Sequence, residues 1–155
     1  CSVPVFGVPL VHMAQGYARL AEAATRGGDA RARALQRIGR AMMAQPVVVE
    51  GTGRLATDLM LAAPGRILAK SGAEGLLLVA DTARGEGIAI KVEDGAMRAM
   101  GPAAVELLGA LGVLSPGELE ALRTHHRTPV TDAAGRPVGQ LEAHASVGMK
   151  ARAGA

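Results

Sequence analysis

Apolar positions along the chain recur first at helical spacing. Leu10, Met13, Tyr17, Leu20 and Ala24 fall at steps of three or four, and Pro9 suits a first helical turn, so residues 9–25 are predicted to form an amphipathic helix. Gly27-Gly28-Asp29 breaks that pattern, and Asp29 suits the N-cap of a second helix over about 30–45. On it Ala34, Leu35, Ile38 and Met42 are expected on one side. Arg31, Arg33, Arg37 and Arg40 spread elsewhere, as a solvated face or a contact for an acidic partner. After Pro46, three valines and Glu50 lead into Gly51-Thr52-Gly53-Arg54, read as a turn before a short helix at 56–63 that Pro64-Gly65 ends. The G-x-G lacks the surrounding strand–glycine-loop–helix unit and the lysine that a phosphate loop needs.

From residue 66 the pattern turns to strands. Ile67–Lys70 leads into Ser71-Gly72, Leu76–Ala80 forms an apolar run, and Ile88–Val92 returns after the turn Arg84-Gly85-Glu86-Gly87. Connections this short favour an antiparallel meander over parallel crossovers, and the continuous Leu/Val/Ile run predicts a sheet covered on both faces. A helix then begins at Pro102, carries Val105, Leu108 and Leu111 on one stripe, and ends near Gly112. Ser115-Pro116-Gly117-Glu118 is a capping box that opens another, with Leu119 and Leu122 as its buried positions. His125-His126 follows. Adjacent histidines can bind a metal, but no third ligand is near in sequence, so solvated helix-end or loop histidines are expected. Residues 129–143 read as a hairpin turning through Asp132–Gly135 with Val138 and Leu141 inward, and 144–155 as a flexible tail.

Composition narrows the function classes. At 155 residues the chain suits one domain or half of a larger one, and 49% hydrophobic against 20% charged residues is enough apolar material for a core. Phe6 and Tyr17 are the only aromatics, and the excess of +3 charges is scattered, so neither base-stacking platforms nor a basic stripe point to nucleic acid. No run approaches the ~20 apolar residues that span a bilayer, and no membrane partner is expected. The single cysteine excludes an internal disulfide framework and fits a reducing, cytoplasmic compartment. Its place as residue 1 leaves three readings open: a sequence that begins within a longer protein, a matured lipoprotein, or an exposed N-terminal nucleophile.

The candidate chemistry centres on Lys70. A serine nucleophile needs a base, and lysine serves where burial or a nearby cation makes its amine less basic. Lys70 and Ser71 are adjacent on a strand, so their side chains point to opposite faces and do not form that pair. Lys70 is instead a candidate to enter a cleft beside a serine from another segment, as in the strand-borne Lys-Ser/Thr-Gly of penicillin-binding proteins. The plain alternative is a strand-end lysine reaching water. Ser2, Ser115 and Ser146 do not supply the nucleophile: Ser115 is explained by capping, Ser146 lies in the expected tail, and no Ser-x-x-Lys occurs in the chain.

Several separated stretches in order resemble the rhizobial-type (thermolabile) L-asparaginase family. They are Cys1–Phe6 with Pro9-Leu10, Tyr17–Ala21, Gly51–Arg54, Gly65-Arg66 with Ala69–Gly75, Gly87–Gly95, Leu111–Leu114, and Pro129-Val130 through Gly135 to Val138-Gly139, together spanning residues 1–143. The resemblance implies an α+β, serine β-lactamase/penicillin-binding-protein-like fold with an antiparallel sheet flanked by helices, present here as its C-terminal half. It also implies hydrolysis of L-asparagine to L-aspartate and ammonia by a lysine-activated serine. On this reading the serine lies in a missing N-terminal half, and the chain alone is inactive. Of the family's functional positions, Cys1 matches a zinc ligand and Lys70 the lysine of a second serine–lysine pair, while Ser2 departs from the glycine that usually follows the cysteine. One thiolate cannot by itself hold zinc, which normally takes four ligands, and a small buried hydrophobe is the other reading of Cys1. A homodimer is possible. The rival readings are another serine hydrolase of the penicillin-binding type and an inactive binding module of the same fold.

Overall fold

The structure is a computed structural model that describes residues 2–26 and 28–148. Two compact units divide the chain, Cys1–Met100 and Gly101–Ala155. The first opens with the predicted helices, α1 (Leu10–Arg26) and α2 (Ala30–Ala44), and the Asp29 carboxylate accepts the Ala32 N–H at 2.8 Å to cap α2. The two helices meet at buried Gly39, where an added Cβ would lie 3.2 Å from the Ala24 Cβ. That crossing fixes which side of α2 is buried: Leu35, Met42 and Met43 pack inward with Gly39. Ala34 and Ile38, expected on the inner side, lie one stripe further round and are exposed.

The valine run forms a short helix, α3 (Pro46–Glu50), followed by α4 (Leu55–Ala62). Between them Gly51 and Gly53 take positive φ, +100° and +69°, which the turn requires. Fully buried Thr57 ties the two helices together, its hydroxyl 2.7 Å from the Gly51 carbonyl and 3.3 Å from that of Pro46.

Strands β1 (Ile67–Gly72), β2 (Leu76–Asp81) and β3 (Glu86–Lys91) form the expected antiparallel meander in the order β1-β2-β3. Its two faces separate by alternation. Leu68 and Ala80 pack with Leu20, Ala21 and Ala24 of α1, while Ile67, Ala69, Leu77 and Val79 on the opposite face are fully buried, and α4 packs along β1. Both faces of β1 and β2 therefore carry buried side chains. The closest approach is at Gly87 of β3, where α1 leaves no room for a side chain.

In the second unit α5 (Met100–Ala110) ends at Gly112, with φ +66°, and the Val113 N–H returns to the Leu108 carbonyl at 2.9 Å. The predicted capping box opens α6 (Pro116–Ala121): the Ser115 Oγ accepts the Glu118 N–H, and the Glu118 carboxylate accepts the Ser115 N–H at 2.7 Å. Leu122 is fully buried and Leu119 half-buried. A single helical turn, α7 (Arg123–His126), carries both histidines half-buried. The hairpin is β4 (Thr128–Thr131) and β5 (Pro137–Leu141). Asp132 holds its turn by accepting N–H groups of Ala134 and Arg136, each at 2.9 Å, and the Arg136 side chain. Val138 is not inward as expected but 65% exposed, because among the described residues this two-stranded ribbon is its own sheet. Of the expected tail, residues 149–155 lie outside the described residues.

The α+β class holds, but the expected β-lactamase-type fragment needs correction. Among the described residues there are two small sheets, of three and two strands, and the three-stranded one has its own fully buried apolar core under α1.

Candidate functional site

Lys70 lies in the fourth position of β1, opposite Leu78. Alternation places it on the face that carries Leu68, and so beside the apolar cluster of Leu20, Ala21 and Ala24 with Tyr17, Leu35, Met42 and Met43 packed against it. It is half-buried, and its Nζ donates to the backbone carbonyl of Ser71 at 2.6 Å. The amine thus reaches the Ser71 main chain, in keeping with a serine side chain directed to the other face.

Two groups not assigned a role from sequence converge here. β1 is an edge of its sheet, and on that edge the Ser71 N–H donates to the Glu50 Oε2 at 3.3 Å. Glu50 is brought there as the last residue of α3, whose exit is fixed by the Thr57 hydroxyl. Tyr17 is the second. Burial raises its phenol above the ordinary tyrosine value, and the negative charge of Glu50 adds to the rise. The sequence signal for Glu50 is slight: one carboxylate ending an apolar run before a glycine turn. Lys91 shares the Lys70 face, because it stands opposite Leu76 two positions from the Lys70–Leu78 pair. Its amine donates to the carbonyls of Glu74 at 2.6 Å and Val92 at 2.7 Å, so it closes the β1–β2 turn from the far strand.

A separate polar cluster lies in the second unit. His126 Nε2 and Glu106 Oε2 are 3.0 Å apart beside a hollow of about 140 Å³ that Arg127, Glu142 and His144 also line. The expected solvated histidine is in this respect paired. Among the described residues no three His, Cys, Asp or Glu side chains come together to hold a metal ion. Cys1, the expected zinc ligand, lies outside the described residues, so no chemical step is derived through zinc. No helix of the described residues is long and apolar enough to cross a membrane.

Comparison with known families decides the class. The sequence profile described as L-asparaginase II matches residues 1–143. The chain belongs to the L-asparaginase II family. No individually curated protein matches it. Membership makes it an amidohydrolase-family enzyme with a small, asparagine-type substrate. The L-asparaginase II match also overturns the expectation of a detached C-terminal half, since it runs along nearly the whole 155-residue chain. With that expectation go the penicillin-binding-type fragment and the nucleophile assigned to a missing N-terminal half.

Proposed function

We propose that the protein hydrolyses the side-chain amide of L-asparagine to L-aspartate and ammonia, with Lys70 as the group that moves the proton. The observation that carries this reading is the L-asparaginase II match over residues 1–143, within which Lys70 falls. In the reaction a water O–H bond breaks as the oxygen bonds to the amide carbon, the C–N bond breaks, and the departing nitrogen gains a proton from Lys70, which the proton lost by the water replaces. An ammonium on an apolar wall, already directed at a carbonyl oxygen 2.6 Å away, suits delivery of that proton. Glu50, on the N–H of the same Ser71, steadies the strand end that carries the amine. A cytoplasmic place of action fits the single cysteine.

The test is product analysis with the purified protein supplied with L-asparagine, L-glutamine or a β-lactam. Equal amounts of aspartate and ammonia from L-asparagine are expected. Opening of the β-lactam with no ammonia from asparagine would assign the site to a penicillin-binding-type hydrolase instead. A folded protein inert towards all three would support a binding module and overturn the proposal.

A further inference from the structure

We infer that the hollow between the C-terminal turn of α1 and the β2–β3 turn is a binding site for a free α-amino acid, gripped by its ammonium and its carboxylate. The hollow measures about 390 Å³; Glu22, Thr25 and Arg26 line it from α1, and Thr82, Arg84 and Gly85 from the turn. Both walls are held in place. Asp81, 1% exposed, accepts the Ala83 and Arg84 N–H groups at 2.9 and 3.3 Å and so pins the turn. Gly85 has φ +66°, and a Cβ added there would lie 3.5 Å from the Glu22 Cγ, so the Glu22 side chain lies against the turn backbone. The Arg84 Nε is fixed on the Glu86 Oε2 at 2.9 Å. Glu22 and Arg26 stand at the i,i+4 spacing where such side chains commonly pair. Among the described residues, however, neither charged group has an ion-pair or hydrogen-bond partner.

The chemistry of the lining selects the ligand. The Thr82 hydroxyl, in a residue 8% exposed, donates to the Arg66 carbonyl at 3.0 Å, and the Thr25 hydroxyl donates to the Glu22 carbonyl at 3.0 Å. With its hydrogen committed, each oxygen offers a ligand only an acceptor. Together with the Glu22 carboxylate they make three acceptor groups, as many as an α-ammonium has N–H bonds. The C-terminal end of α1 adds partial negative charge at the same place. The carboxylate on the carbon that bears the ammonium meets the planar donor fork of Arg26, with Arg84 beside it. A ligand carrying both charges satisfies both sides. A plain anion instead faces Glu22 and two acceptor-only hydroxyls, and a plain cation faces two guanidiniums. The site is separate from the Lys70 face: Thr82 is tied to Arg66, four residues and roughly 13 Å along the chain from Lys70, further than one small amino acid spans. The inference therefore stands independently of hydrolysis at Lys70.

Proton–nitrogen correlation NMR of the whole protein, titrated with L-alanine, tests it. L-Alanine has no side-chain amide to hydrolyse, so the titration reads binding alone. The amide signals of Thr25, Thr82 and Gly85 are expected to shift saturably, with a dissociation constant on the order of a millimolar for so small a ligand. Propionate, which lacks the ammonium, and ethylammonium, which lacks the carboxylate, should each bind at least ~10-fold more weakly. Glu22→Gln and Arg26→Gln should each weaken L-alanine by a similar factor and leave the rest of the spectrum in place. Both positions are exposed, so folding does not depend on them. Absence of a saturable shift at these residues up to ~100 times the expected constant overturns the inference. So does propionate binding as tightly as L-alanine, which would leave a simple anion site, or L-alanine binding that neither variant weakens. None of these outcomes touches ammonia release from L-asparagine, so the two readings fail separately.

Discussion

Replacing Gly87 with alanine measures how closely α1 lies on the meander that carries Lys70. A Cβ at this position would stand 2.0 Å from the Ala14 carbonyl oxygen, 2.4 Å from the Ala18 nitrogen and 3.0 Å from the Ala14 carbonyl carbon. Even a close carbon–oxygen contact keeps about 3.3 Å, so the helix must lift by roughly an ångström. The atoms met are backbone, and no side-chain rotation relieves the clash. Lifting α1 opens the seam where Leu20, Ala21 and Ala24 pack on Leu68 and Ala80. Overfilling a packed core usually costs ~1–3 kcal/mol, and backbone contact places this case at the upper end. For a chain of this length ~3 kcal/mol lowers the thermal midpoint by roughly 10 °C. Gly16→Ala is the control, since Gly16 is exposed in the middle of α1 and a Cβ there meets nothing within 4 Å. It should stabilise by ~0.5–1 kcal/mol through helix propensity alone. Urea melts of both variants followed by circular dichroism give the comparison. A Gly87→Ala protein within ~1 kcal/mol of the parent, well below the predicted ~3 kcal/mol, would refute the reasoning.

Three further outcomes follow from individual contacts. Tyr17 is the only tyrosine and there is no tryptophan, so near-ultraviolet phenolate absorbance reports this residue alone. Because burial first and Glu50 second raise its folded value above the unfolded value near ~10, the associated stability is complete below pH ~10 and is lost as pH rises through the higher folded value. Glu50→Gln should bring the folded titration midpoint down, and an unmoved midpoint would separate Glu50 from Tyr17. Asp81 is 1% exposed, its Oδ2 accepting Arg66 Nη1 at 2.9 Å and its Oδ1 the N–H groups of Ala83 at 2.9 Å and Arg84 at 3.3 Å. Asp81→Ala should cost ~2–4 kcal/mol in chemical denaturation, below a fully buried pair because the arginine and both amides can turn to water. Ser115→Ala should cost ~1 kcal/mol by removing one arm of the capping box, measured in the same way.

Elements with strong local signals were legible in the chain. The Ser115 box, the Asp29 cap and the meander all sit where propensity, turn chemistry and hydrophobic period agree. The valines of α3 carry a β-type preference, overruled where Pro46 starts the turn and the Thr57 hydroxyl lies near carbonyls at both ends. On α2 the apolar period fits two adjacent stripes, and the contact of Gly39 with Ala24, a long-range fact, chooses between them. Lys70 was legible as a strand residue directed away from the Ser71 side chain. Its setting was not, because Glu50 reaches Ser71 from 21 residues earlier and Tyr17 comes from α1, and neither spacing forms a motif. The extent of the family match, residues 1–143, is the span over which the ordered motifs were read, whereas the C-terminal-half reading drawn from them is what the match corrects.

The central claim is that amide hydrolysis takes place on the Lys70 face of β1. Steady-state ammonia release from L-asparagine, compared between the parent protein and Lys70→Met at equal folded concentration, addresses it most directly. The account predicts turnover by the parent and a kcat lower by roughly 10²–10⁴ in the variant, the range for a lost proton-transfer group. Equal kcat values in the two proteins would contradict it.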